Sequence, residues 1–359
     1  MLTSIWNHGF AFFSVLRYHL YHLVLFKVPS LFKLRLPNHE KPDDVECCRS
    51  PVNGKQPPDM ADDTYAASVT EEPDAINIEK DDPVPYEPLV GEILGEGSTS
   101  RIARVAPGII IKYPRFSWWN SKTVADKWFV RDMKRSFEVE ERLLQILGLH
   151  PRILEFKGVS DDPFGLLFVE ASDGNLQNYI DQHYASIDMS LRIKWRIQAA
   201  EAIQYIHQKG VIHSDLRPEN FLLHTVAGNE LDLLLCDFGG STNGEIDGRH
   251  LPDAGFFNPC HPPESTKSTD IFSLGSIYYT IMTGHWPYRS PGPFKSLEEM
   301  EKYQELVDDL FASKRYPPVD GLAAGPVIQR CWTGEYSDLG ALIEDQRWQF
   351  ENDTISMHS

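Results

Sequence analysis

Apolar positions recur along this chain with two different periods, and the change of period divides it. From Pro85 to Val105, short apolar runs flank Leu94-Gly95-Glu96-Gly97-Ser98-Thr99-Ser100, which predicts two strands around a glycine-bearing turn. Ala106-Pro107-Gly108 reads as a turn, and Ile109-Ile110-Ile111-Lys112 as a buried strand ending in a cation. The period then becomes helical. Between about Ser121 and Leu147, the residues Phe129, Met133, Phe137, Leu144 and Leu147 fall on one face. Glu140 shares that face, whereas Glu141 lies about 100° away from it. Ile153 to Val159 and Gly165 to Val169 read as two further strands, ending at Glu170-Ala171-Ser172.

Helical patterns dominate the remainder. Leu191 to Gln208 places Trp195, Ala199, Ala202, Ile203 and Ile206 on one face, and Gly210 ends it. Thr269-Asp270 reads as the cap of a mostly apolar helix running from Ile271 to Thr283 and closed by Gly284. Val327 to Trp332 reads as a late helix. Two apolar runs interrupt this half: one flanks a polar loop from His213 to Asn220, and the other leads from Leu233 into Asp237-Phe238-Gly239. A sheet-forming part followed by a helical part predicts an α+β fold.

Composition adds an N-terminal quarter of another kind. The chain has 359 residues, 42% of them hydrophobic, with a net charge of −18. That balance argues against nucleic acid as a primary partner. Residues 38 to 82 hold 13 acids against the bases Lys41, Arg49, Lys55 and Lys80, half of the total charge, which predicts an acidic disordered linker over 37–84. Residues 1–36 are basic and aromatic, with Arg17, Lys27, Lys33 and Arg35 and no acid. Charges interrupt their apolar run below the roughly 18 residues a membrane span needs. An interfacial helix and membrane contact, a mitochondrial presequence, and a segment without function all stay open there. The five cysteines are scattered without metal-ligand spacing, which suits a reducing compartment and a cytoplasmic location.

The candidate chemistry lies in the loop Val211-Ile-His213-Ser214-Asp215-Leu-Arg217-Pro218-Glu219-Asn220. A carboxylate there can accept the proton of an attacking hydroxyl, a cation can hold a transferring phosphate, and an amide oxygen can hold magnesium. Glycines 95 and 97 let backbone amides approach phosphates. A lysine closing an apolar strand needs a partner, and the acid on the helix's apolar face supplies one in Glu140.

Together with Leu233-Leu-Leu-Cys-Asp237-Phe-Gly239, this loop resembles the catalytic and metal-binding loops of the eukaryotic protein kinase family. The resemblance covers about residues 86 to 345. It implies a bilobal kinase fold over 85–345, with a small antiparallel-sheet lobe carrying one main helix (85–170), a larger helical lobe (171–345), and a tail over 346–359. It implies that Asp215 is the catalytic base, with Arg217, Lys112 and Glu140 completing the machinery, and that Asn220 and Asp237 hold Mg2+. ATP would be held by Gly95, Gly97, Ser98, Ile102, Ile110, Lys112, Glu170, Ser172 and Leu222. His213, Phe238, Leu144 and Phe156 match a stacked spine between the lobes, and Asp270 an acid that braces the catalytic loop.

Four positions depart from the family pattern. Ser214 replaces an arginine, Arg217 a lysine, Ser100 a glycine, and the bulky Ile110 a small residue. No threonine stands in the segment before Pro262-Pro263-Glu264, and no arginine partner for Glu264 is evident. Pro218-Glu219 resembles the serine/threonine pattern. The expectation is an ATP- and magnesium-dependent kinase acting on serine or threonine of a protein substrate. The alternatives are a pseudokinase scaffold that binds partners without catalysis, and a kinase-like small-molecule phosphotransferase.

Overall fold

Strand alternation builds the first lobe. In the computed structural model, which describes residues 86–347 apart from 89, 118–123, 227 and 229, five antiparallel strands pair in the order β1-β2-β3-β5-β4. They are β1 (Ile93–Glu96), β2 (Ser100–Ala106), β3 (Ile109–Pro114), β4 (Phe156–Asp161) and β5 (Phe164–Val169). The expectations for residues 1–36, for 37–84 and for the tail beyond 347 lie outside the described residues. Along β3, Ile111 and Tyr113 face one way and pack with Ala103, Tyr86, Val90 and Leu167. Period-2 alternation therefore turns Ile110 and Lys112 to the opposite face, toward the main core. Gly108, at φ 73°, makes the β2–β3 turn.

Helix α1 (Val124–Leu147) crosses this sheet. Its described length starts three residues later than the periodicity suggested, because 121–123 lie outside the described residues. Met133, Phe137, Leu144 and Leu147 are buried on its inner face, with Phe129 partly so.

The strand expected from Ile153 begins instead at Phe156. Ile153 and Leu154 are both buried, and they pair with the second lobe: Ile153 bridges Leu235, and the Leu154 N–H donates to Leu235 O at 2.9 Å. The apolar run is real, but its partner is the segment at Leu235 rather than β5.

The second lobe comprises α2 (Leu176–His183), α3 (Met189–Gln208), the hairpin β6 (Phe221–Val226) and β7 (Glu230–Leu235), the short pair β8 (Thr242–Asn243) and β9 (Ile246–Asp247), α4 (Lys267–Thr283), α5 (Leu297–Ala312) and α6 (Gly325–Thr333). A further helical run covers 339–347. Helix α4 is the centre, buried from Thr269 to Met282. Its N-cap is Thr266 rather than Thr269: Thr266 accepts from the Thr269 N–H, and Thr269 answers as the third residue of a capping box. Gly284, at φ 83°, ends the helix where a Cβ would stand 2.7 Å from the Tyr184 ring. None of the helices among the described residues is long and apolar enough to cross a membrane.

Candidate active site

One buried acid shapes the loop that carries the candidate chemistry. Asp270 is fully buried at the start of α4 and accepts from the backbone N–H groups of His213 and Ser214 at 2.9 and 3.0 Å. His207 Nε2 lies 2.8 Å from the same carboxylate. These contacts hold Ser214 at φ 64°, a left-handed conformation that a side chain disfavours by roughly 1 kcal/mol or more. The chain reverses there and presents Asp215 to the cleft. Ser214 fits because a small buried side chain suffices where the family pattern has arginine.

From that turn the polar residues interlock. Asn220 Nδ2 donates to Asp215 O at 2.6 Å and to Asp215 Oδ2 at 3.2 Å. Arg217 Nη1 donates to Asp253 Oδ2 at 2.6 Å. Burial opposes charge on Arg217, but Asp253 and Asp215 hold it well above its ordinary value, so it stays cationic. Burial pushes Asp215 the other way, above the usual carboxylate range, against the pull of His250 and Arg217. A carboxylate raised by desolvation is a better proton acceptor than an exposed one.

Across the cleft, Lys112 Nζ reaches Glu140 Oε2 at 2.6 Å and Asp237 Oδ1 at 2.8 Å. Helix phase brings Glu140 here, and it is 1% exposed. Its other oxygen accepts from the Phe238 N–H at 3.3 Å. Burial opposes the Lys112 charge, yet Asp237 and Glu140 raise it above the ordinary lysine range. Burial likewise opposes charge on Asp237, and Lys112 overrides it, holding the acid at about 2. Both groups are therefore ionised at neutral pH. Asp237 is itself left-handed at φ 63°, which turns its half-exposed carboxylate into the cleft. His213 and Phe238 are fully buried with ring centroids 5.1 Å apart, Leu144 is buried, and Phe156 is partly buried against Phe168.

The residues expected to hold a nucleotide are placed less uniformly. Gly95 lies within β1, paired with Ile102, while Gly97 and Ser98 lie in the β1–β2 turn, closed by the Gly97 N–H donating to Ser100 O at 2.7 Å. Ser100 is buried, so the missing glycine is filled by a side chain turned inward. Ile102 and Leu222 are partly buried against the core, and Ile110 is 7% exposed. Glu170-Ala171-Ser172, the hinge between the two lobes, is engaged by other residues of the protein. The Glu170 carboxylate is held by Arg104 through two hydrogen bonds, at 2.7 and 2.5 Å, and Arg104 also contacts Glu92. The Ser172 N–H donates to His224 Nδ1 at 3.3 Å. Its Oγ is engaged by Asp173 and the Thr225 N–H. Ser172 is thus a joint between hinge and β6.

Sequence reasoning missed Asp253, His250, Arg104 and His224. Asp253 and His250 lie between β9 and α4, a segment with no period to read. Arg104 carried a signal, since it is a cation on a strand registered beside Ile110.

The comparisons agree with this geometry. A family model described as "Protein kinase domain" matches residues 89–320. Similar proteins include ribosomal protein S6 kinase alpha-3 of Homo sapiens, 30% identical over 181 residues, covering 46% of this chain and 23% of that protein. Another is 3-phosphoinositide-dependent protein kinase 1 of Rattus norvegicus, 25% identical over 264 residues, covering 70% and 45%. A calcium/calmodulin-dependent protein kinase of Emericella nidulans is 33% identical over 180 residues, covering 47% and 42%. The chain spans less than half the length of each of these relatives. The match covers more than half of the chain, and the chain belongs to the protein kinase family.

Proposed function

We propose that this chain transfers the γ-phosphate of ATP, with Mg2+, to serine or threonine hydroxyls of a protein substrate. The observation that carries the reading is Lys112, a cation joined at once to Glu140 and Asp237 across 2.6 and 2.8 Å, opposite an intact Asp215–Asn220 pair. A chain that only scaffolds partners has no need of two residues held left-handed at Ser214 and Asp237. The serine/threonine preference rests on the Pro218-Glu219 pattern.

The donor set fits magnesium. Asp237 offers a carboxylate, and Asn220 donates through Nδ2, which leaves its amide oxygen for a cation. Both are hard oxygen donors, and magnesium completes its shell with phosphate and water. No group of three or more His, Cys, Asp or Glu side chains able to hold a metal occurs among the described residues. When bound, Mg-ATP supplies the phosphoryl group and neutralises its charge. Lys112 orients the phosphates, Arg217 adds positive charge beside the acceptor, and Asp215 takes the hydroxyl proton.

The test is transfer of labelled phosphate from Mg-ATP to a peptide library by the full chain, beside Asp215→Asn. The expected result is transfer that falls at least a hundredfold in the variant. Equal label in both would sink the reading, and a lack of label in the wild type with ATP still bound would favour the pseudokinase.

A further inference from the structure

Two buried polar atoms in the cleft stand unmatched on either side of one short gap. Asp215 Oδ1 accepts no hydrogen bond, and His250 Nδ1 makes none. They face each other at 3.6 Å. The other Asp215 oxygen is engaged by Asn220 Nδ2, and Arg217 Nη1 is held by Asp253 at 2.6 Å; Arg217 Nε, also buried, makes no hydrogen bond to Oδ1. A separation of 3.6 Å is too long for a hydrogen bond and too short to admit a water between the atoms. A shift of under about 1 Å closes it, and buried polar atoms are normally paired.

The backbone places the imidazole there. His250 lies between β9 and Asp253, and its carbonyl accepts from Ser265 Oγ at 3.3 Å. On the other side it packs on Gly240, where a Cβ would stand 2.6 Å from His250 Cβ. Glycine at 240 is what admits the ring.

We propose that His250 is a positioning residue for Asp215: its Nδ1–H holds the free carboxylate oxygen and fixes the rotation of the base toward the acceptor hydroxyl. A base that spins freely meets the hydroxyl in the productive orientation only part of the time, and orientation is a large share of such catalysis. The inference rests on the phosphoryl-transfer reading, and one of its two arms is independent of activity.

In the first arm the full chain carries 15N-histidine. Long-range 1H–15N correlation reads the His250 tautomer, with His250→Asn identifying its resonances. The expected result is a protonated Nδ1 in the wild type and a changed Nδ1 shift in Asp215→Ala. An Nε2–H tautomer indifferent to Asp215 overturns the proposal. In the second arm, His250→Phe keeps the ring without the donor, and His250→Asn keeps an N–H near the Nδ1 position. His250→Phe is expected to lower kcat at least tenfold with KM for ATP within twofold of wild type, and His250→Asn to recover most of the loss. Equal kcat in wild type and His250→Phe, or an Asn variant as poor as Phe, overturns it. Should the wild type transfer no phosphate while the tautomer still follows Asp215, the proposed function falls and the contact stands.

Discussion

Glu140 and Glu141 are adjacent in the chain, yet they meet different surroundings. Glu140 is 1% exposed and bonded to Lys112, while Glu141 accepts from Gln145 Nε2 at 3.1 Å on the outer side of α1. Burial raises the pKa of Glu140 and Lys112 opposes that rise, so the acid depends on its partner to remain charged. Glu140→Gln should lower the transfer rate by roughly one to three orders of magnitude, because a misplaced phosphate-binding cation loses orientation. Glu141→Gln should leave the rate within about twofold, as exposed charges usually do. Steady-state rates measured beside melting temperatures check this. The damaging change falling at Glu141 would mean that the Lys112 pair is not the one that serves catalysis. The choice between these acids was legible because an apolar stripe gives a helix a readable phase. The Arg217–Asp253 pair was not, since it joins residues 36 apart through an irregular segment. Nor was the Ser172–His224 contact, which depends on how the hinge lies along β6.

Among the elements, the errors of sequence reading share a cause. Ile153 and Leu154 read as strand because apolar runs reveal burial but not which partner buries them. The apolar run alone points to Thr269 as the cap of α4, whereas the first turn of the helix buries polar residues and the cap is Thr266. Thr269 is 3% exposed and Asp270 fully buried, both held by hydrogen bonds. Helix α5 carries a further polar residue, Asp308, that is half-buried. Burial, reinforced by Asp309, raises Asp308 from 3.8 to about 6. A carboxyl whose folded pKa lies above its unfolded value favours the folded state below the unfolded pKa. That advantage is lost as pH rises through the folded one. Asp308 therefore weakens the fold progressively between pH 3.8 and about 6, and by a constant amount above that. At about 1.4 kcal/mol per pKa unit the ceiling is near 3 kcal/mol, and partial exposure brings the expected value to about 1–2 kcal/mol. Asp308→Asn should be more stable than wild type by that amount at pH 7 and equal to it near pH 3.5. Urea unfolding at the two pH values checks the sign, and a difference independent of pH would show that the carboxyl does not carry it.

At the scale of the whole molecule, the two lobes that the family resemblance implies are joined along a narrow line. Leu235 accepts from the Leu154 N–H at 2.9 Å and donates to Arg152 O at 2.8 Å, so β7 of one lobe borrows backbone from the other. A few residues on, Asp237 meets Lys112 at 2.8 Å across 125 positions of sequence. A ligand gripping Asp237, Asn220 and Lys112 together would hold both lobes and the loop between them. Mg-ATP should therefore raise the melting temperature by mass action, with about 2.7 kcal/mol of added stability at a hundredfold excess over Kd. For a domain of this size that amounts to several degrees. The metal-dependent part, measured as the difference between ATP with Mg2+ and ATP with a chelator, isolates the two oxygen donors from Lys112. Asp237→Ala also frees Lys112 and should lower the ligand-free melting temperature. Only the ligand-induced shift within each variant therefore bears on the metal. That shift should shrink to near zero for magnesium in Asp237→Ala while part of the metal-free ATP shift survives, since Lys112 and the glycine turn remain. Identical magnesium-dependent shifts in wild type and variant would place the cation elsewhere, and the open carboxylate of Asp237 would then serve the ion pair with Lys112 alone.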